Sequence, residues 1–314
     1  MNEEYGEAET EVAYHHDKLG KIYYRGYDTS DIINSNLSFL ETAYLLVYGE
    51  FPNRDIIHKV FNLVSKYGLN IDTIIEVRRL NEKIGLVASI PLLQQRYISK
   101  SGKIQDLLAK LYTFKDGVYR DIQNLFILHL DYMVDNSVYS VIRYITSGLT
   151  LFEALNLAVN SYANFVSDCI ISPLEILLKM SDIGKNIDEI WNELDNDVKE
   201  FILSHRSEYK VGYIEDLKKI SRQILKSNDL IELYDYAVKL EKYVRKYYNC
   251  RGLNLDFYTG LALLDLGFNL SEFYRVLYIA RAVGLTAYAL EFKDKGIAPT
   301  KLIYRGPIGL KLKI

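Results

Sequence analysis

Apolar residues recur every three or four positions along most of the chain, and the stretches that do so stop at glycines. Asp55 to Tyr67 shows the rule: Ile56, Val60, Leu63 and Val64 share one face, and Gly68 follows as a stop. Upstream, Ser38-Phe39-Leu40-Glu41 is a capping-box pattern, and the Tyr/Leu/Val run behind it ends at Gly49. The same reasoning predicts helices over 80–97, 104–111, 119–134, 136–147, 151–163, 173–180, 187–205, 214–226, 230–248, 257–266 and 271–292. Period-two alternation is confined to Lys21–Tyr27, rich in strand-forming residues around Gly26, which predicts a short hairpin after an acidic, frayed start. The chain therefore reads as all-α with a short N-terminal β-hairpin.

The helix over 271–292 is the most informative. Ala280, Ala282, Gly284 and Ala287 let a neighbouring segment approach closely, and Arg281 is the one charge in its middle. Two readings stand for that arginine. It reaches a buried carboxylate within the core, or it grips a substrate carboxylate through its bidentate fork.

Composition excludes several classes. With 38 basic and 41 acidic residues the net charge is −3, so nothing draws the chain to nucleic acid or to an anionic membrane surface. The longest apolar run, Val276 to Leu290, is interrupted by Arg281 and is shorter than the roughly 20 residues that span a bilayer. Two cysteines give no disulfide framework, and no secretory signal is evident, so a cytoplasmic location is expected. Five histidines without a Cys/His cluster imply no metal site. At 314 residues, one large domain or a large and a small one is expected.

Three segments resemble the citrate synthase family. Tyr24-Arg25-Gly26-Tyr27-Asp28 and Ala43-Tyr44-Leu45-Leu46-Val47-Tyr48-Gly49-Glu50-Phe51-Pro52 are similar to its N-terminal signature. Asn254-Leu255-Asp256-Phe257-Tyr258-Thr259-Gly260 resembles the motif that carries the family's catalytic aspartate. Ala280-Arg281 through Glu291, with Gly306-Pro307, follows the C-terminal pattern. The resemblance implies a large helical domain over 1–176 and 263–314, a small helical domain over 177–262, and a homodimer or a heterodimer with a related citrate synthase. It also implies small-molecule substrates, acetyl-CoA or another acyl-CoA with oxaloacetate or another keto acid, and no further cofactor.

Residue by residue, the resemblance makes Asp256 the base that removes a proton from the acyl methyl group. Read alone, Asp256 is a helix N-cap. His205, in Ser204-His205-Arg206, aligns with the histidine facing the oxaloacetate ketone, although the Asp-Pro-Arg that should follow is missing from 211–215. Read alone, it is a structural histidine near a helix end. Ser172-Pro173-Leu174-Glu175-Ile176-Leu177 falls on Gly-Pro-Leu-His-Gly-Gly, so Glu175 replaces the histidine that steadies the enolate, and Ile176 and Leu177 fill space the glycines leave open. A buried protonated Glu175 would still donate to an oxyanion; otherwise it is an ordinary glutamate in a helix's first turn.

His129-Leu130-Asp131-Tyr132 falls on His-Ala-Asp-His, with Tyr132 at the oxaloacetate-contacting histidine and Asp135 at the usual asparagine. His129 survives, and read alone it is a core histidine. Ala298 stands where the partner subunit's arginine is expected, so Arg281 is the clearest carboxylate grip left. Two readings follow. One is an acyl-CoA condensing enzyme with an altered site; the other is a non-catalytic paralogue that keeps the fold and acts as a dimer partner or regulator.

Overall fold

In the computed structural model, which describes residues 7–16, 20–93, 102–117, 119–132, 135–182, 187–193, 195–196, 199, 211–248 and 256–312, helices make up 69% of the protein. The all-α reading with a short N-terminal strand region holds. Strands β1 (Glu7–Thr10), β2 (Ala13–His16), β3 (Lys21–Tyr24) and β4 (Tyr27–Asp28) open the chain. Helices α1 (Thr29–Asn34), α2 (Phe39–Tyr48), α3 (Arg54–Tyr67), α4 (Ile71–Leu80), α5 (Glu82–Leu93) and α6 (Gly102–Leu111) follow. Then come α7 (Arg120–Leu128), α8 (Asn136–Thr146), α9 (Leu151–Val166), a π-turn (Ser167–Ile171), α10 (Ser172–Asp182) and α11 (Ile187–Glu193). Helices α12 (Val211–Ile224), α13 (Asn228–Tyr248), α14 (Phe257–Asp265) and α15 (Phe273–Phe292) and strand β5 (Lys301–Tyr304) complete the described order.

The start of α2 forms as its sequence dictates. Ser38 Oγ accepts the N–H of Glu41 at 3.2 Å, and the Glu41 carboxylate accepts the N–H of Ser38 at 2.9 Å. Its end is closed twice over. Gly49 takes φ +74°, and Arg25 Nε donates to the carbonyl of Leu46 at 2.9 Å. Arg25 reaches it from the β3–β4 turn with φ +48°, a conformation costly for any residue that carries a Cβ, while its guanidinium is held on the carbonyls of α2.

Three expectations need correction. The helix predicted from residue 80 starts at Glu82 as α5, and a helix that was not predicted, α4, precedes it; the two are broken at Asn81, whose backbone is extended and whose side chain caps α5 by accepting the N–H of Ile84 at 3.0 Å. The fold-back is tight, since a Cβ on Gly85 would lie 2.3 Å from Arg78 Cγ. The helix over 119–134 ends early, at Leu128, where the chain reverses against α15. The start of the chain is not frayed at Glu7–Thr10, because β1 pairs in parallel with β5, Glu7 beside Lys301 and Thr10 beside Tyr304. The hairpin forms as read, with Tyr24 opposite Tyr27.

The chain divides into two compact units, Met1–His15 with Ile22–Ala163 and Tyr274–Ile314, and His16–Lys21 with Asn164–Phe273. Within the second unit α14 packs on α12, α13 and α10, α10 also packs on α13, and the π-turn packs on α10 and α14. In the first unit α15 is the core: Val276, Leu277, Ile279, Val283 and Leu285 are all fully buried. Each such side chain contributes roughly 1.5–3 kcal/mol relative to exposure. Arg281 lies among them, also fully buried.

Candidate functional site

Gly284 decides how the polar centre of the first unit is assembled. A Cβ at this position would lie 1.9 Å from the carbonyl oxygen of Leu130, so only glycine lets α15 rest on the chain reversal that follows α7. That contact brings Arg281 and Tyr288, three positions before Gly284 and four after it, onto Asp131. Arg281 Nη1 is bonded to Asp131 Oδ1, Nη2 donates to Asp135 Oδ1 at 3.1 Å, and Nε donates to Ser137 Oγ at 3.4 Å. Tyr288 donates its hydroxyl proton to Asp131 Oδ2 at 2.8 Å.

Neighbouring elements close the cluster. Tyr24 accepts the N–H of Asp131 at 3.2 Å and donates to the carbonyl of Ile127 at 2.9 Å. His15 Nε2 lies 3.1 Å from the Asp131 carbonyl oxygen. Asp135 also N-caps α8, accepting the N–H of Ser137 at 2.9 Å. Burial would lower the Arg281 pKa, but Asp135 and Asp131 outweigh it and hold the guanidinium above its ordinary value. Burial and Asp131 together raise the Tyr288 hydroxyl far above the usual phenol range.

Of the two readings of Arg281, the structure has the arginine reaching buried carboxylates within the core. All three guanidinium nitrogens have protein acceptors, and two carboxylates face one cation. A dicarboxylate would have to displace an aspartate from a dry site, and breaking a buried pair costs about 3–5 kcal/mol.

His129, in the same unit, is fully buried at the end of α7, its ring stacked on Tyr132 with centroids 5.0 Å apart. Burial, with the charge of Arg281, pushes His129 down to about 3, so its ring is neutral at pH 7. Tyr132 is buried beside it, 8% exposed, and brings a phenol where the resemblance expects an imidazole.

Asp256 belongs to the second unit and is 3% exposed. Its Oδ1 accepts the N–H of Thr259 at 2.8 Å, the N-cap of α14. Its backbone is fixed by a separate device. Pro173 has no N–H to offer the carbonyl of Cys169 four residues earlier, and that carbonyl instead accepts the N–H of Asp256 at 3.1 Å. A Cβ on Gly260 would lie 2.9 Å from Leu174 Cδ2, so α14 packs closely on α10. Glu175, in the first turn of α10, is exposed, which corrects the thought of a buried, protonated acid there; Leu177 is fully buried. His205 lies outside the described residues. Among the described residues no group of three or more His, Cys, Asp or Glu side chains is placed to hold a metal ion, and no helix is long and apolar enough to cross a membrane.

The sequence model of "Citrate synthase, C-terminal domain" matches residues 3–125 and 214–305, on both sides of the middle third. The chain belongs to the citrate synthase family. Citrate synthase of Corynebacterium glutamicum is 25% identical over 98% of this chain and 85% of its own length, and that of Saccharolobus solfataricus is 21% identical over 92% and 90%. Among solved structures, Thermoplasma acidophilum citrate synthase, in a ternary complex with carboxymethyl coenzyme A and oxaloacetate, superposes with a TM-score of 0.66 at 18% identity, covering 99% of this chain and 96% of that one. The Thermotoga maritima enzyme gives 0.65 at 19% identity, covering 97% and 95%. At these identities the superpositions speak for the citrate synthase fold alone.

Sequence reasoning singled out Arg281 and Asp135 of the polar centre but missed Tyr24, His15 and Tyr288. Tyr288 had a usable signal, since it stands seven residues after Arg281 on the same helical stripe.

Proposed function

We propose that this chain is a citrate synthase-family protein that does not carry out the ordinary condensation of acetyl-CoA with oxaloacetate and acts as a non-catalytic subunit, paired with itself or with a related citrate synthase in the cytoplasm. The observation that supports this reading is the state of Arg281, which already holds Asp131 and Asp135. Glu175 and Ala298 at positions where the resemblance calls for a histidine and an arginine point the same way.

A second reading keeps chemistry: condensation of an acyl-CoA with a carbonyl compound that lacks the second carboxylate. It is favoured by Asp256, buried beside the apolar start of α14 with its backbone tied to Cys169. Acyl-CoA is then a substrate, and no further cofactor takes part. Thermal shift separates the two, because a ligand bound by the folded state raises its stability by mass action. The non-catalytic reading expects no shift with oxaloacetate or with a keto monocarboxylate, whereas the second reading expects one with the keto monocarboxylate. An Asp256-dependent release of CoA from acetyl-CoA with a keto monocarboxylate would replace it by the second reading.

A further inference from the structure

The polar centre of the first unit sets two carboxylates, Asp131 and Asp135, against the single guanidinium of Arg281. Tyr24 and Tyr288 also meet Asp131, but burial keeps both phenols neutral, so they do not change the balance. A surplus negative charge in a dry site attracts a cation more strongly than the same charge would at an open surface. His15 of β2 is placed to supply one. Successive side chains of a strand point to opposite faces, and β2 is the edge of the β2–β3–β4 sheet. Tyr14 stacks on Tyr304 of β5 with centroids 5.2 Å apart, while His15 turns onto Asp131, its Nε2 3.1 Å from the carbonyl oxygen and 3.9 Å from Oδ2. Just upstream the same segment is buckled to α15: Thr10 donates its hydroxyl proton to Glu291 at 2.6 Å, and the N–H of Glu11 donates to it at 2.9 Å.

We propose that β2 is a proton-tightened latch on the Arg281 centre, with His15 as its catch. A carbonyl oxygen only accepts, so Nε2 carries the hydrogen of the 3.1 Å contact and Nδ1 is the nitrogen left to take up a second proton. The side chain keeps 22% of its surface exposed, which gives that proton a route from water. With the imidazole neutral, the catch is one hydrogen bond to a carbonyl. Proton uptake at Nδ1 leaves that bond in place and adds a positive charge facing Asp131. The charged groups it meets are Asp131 and Asp135, between α7 and α8, and Arg281 on α15, which together carry one negative charge. The edge strand is therefore held down more firmly as the pH falls, over the same range in which buried His129 weakens the unit as a whole. The latch stands whether or not the chain condenses acyl-CoA.

Amide hydrogen exchange of the full chain between pH 8 and pH 5.5, corrected for intrinsic exchange, tests the latch. The quantity read is the opening constant of the β2 amides divided by that of the α15 amides, because the ratio removes the acid loss that His129 imposes on the whole unit. In the wild type this ratio should fall about fivefold from pH 8 to pH 5.5, the size expected of one partly exposed charge pair. His15→Gln keeps an N–H donor for the Asp131 carbonyl but takes up no proton. It should match the wild type in unfolding midpoint at pH 8 and show a ratio that does not change with pH. His58→Gln, on the exposed face of α3, should keep the wild-type response. A wild-type ratio that stays constant or rises toward pH 5.5 overturns the latch, and so does a fall of equal size in His15→Gln.

Discussion

Asp135 lies 3.1 Å from the fully buried Arg281 and shares that guanidinium with Asp131. Together the two carboxylates neutralise the cation and leave a surplus negative charge. Arg281→Met should therefore destabilise the protein by about 3–5 kcal/mol, since it strands two buried carboxylates. The triple variant Arg281→Met/Asp131→Asn/Asp135→Asn should recover most of that loss, because no charge is then left unpaired. Urea unfolding at pH 7 measures both, and a cost below about 1 kcal/mol for the single variant would contradict the ion cluster.

Gly284→Ala puts a methyl group 1.9 Å from the Leu130 carbonyl oxygen, and backbone on both sides leaves little room to yield. A loss above about 4 kcal/mol, or failure to fold, is expected. Gly102→Ala, at the start of α6 with nothing within 4 Å, is the control and should change stability by no more than about 1 kcal/mol, in the stabilising direction. Thermal melts that rank the two equally would mean that α15 does not sit on the Leu130 carbonyl.

His129 sets an acid limit. Its folded-state value is about 3, through burial and the Arg281 charge, while an unfolded histidine titrates near 6.5. Below pH 6.5 the unfolded chain binds a proton that the folded chain refuses, so stability is complete above 6.5 and falls as the pH drops toward 3. The slope from this residue approaches about 1.4 kcal/mol per pH unit. His129→Phe, which keeps a ring against Tyr132, should flatten denaturation free energies between pH 6 and pH 4.5. An unchanged slope would mean that His129 is protonated within the fold.

How far the sequence reaches can be seen element by element. Local signals were sufficient wherever the physics is local: the Ser38–Glu41 capping box, the Gly49 stop, the Asp256 N-cap and the Lys21–Tyr27 hairpin all form as read. The β1–β5 pair was invisible because its partners stand almost 300 positions apart and four residues carry too little alternation. Helix α4 was missed, although Asn70 caps it by accepting the N–H of Thr73 at 2.9 Å, because Ile71 and Ile75 face outward and blur its apolar stripe. The polar centre was half legible. Arg281 stood out as a lone charge in an apolar helix, but which carboxylates it meets depends on Gly284 resting on Leu130, a contact no periodicity encodes.

Wild-type protein with acetyl-CoA and oxaloacetate should release no thiol above an Asp256→Ala blank, and Glu175→His should not change that. A lost oxyanion donor costs about 10²–10³ in rate, which one histidine could restore at best in part. The grip on the keto acid is a separate deficit, because Arg281 is engaged by Asp131 and Asp135, and orientation supplies roughly 7–11 kcal/mol of barrier reduction in well-held systems. Glu175→His/Asp135→Asn removes one internal competitor but leaves Asp131 on the guanidinium and Ala298 in place of an arginine. That double variant should bind oxaloacetate better than wild type by thermal shift and still turn over far below the family's rates. Asp256-dependent thiol release on the order of 1–10³ s⁻¹ in the wild type would overturn the non-catalytic reading, since it would require a second carboxylate grip among residues other than Arg281.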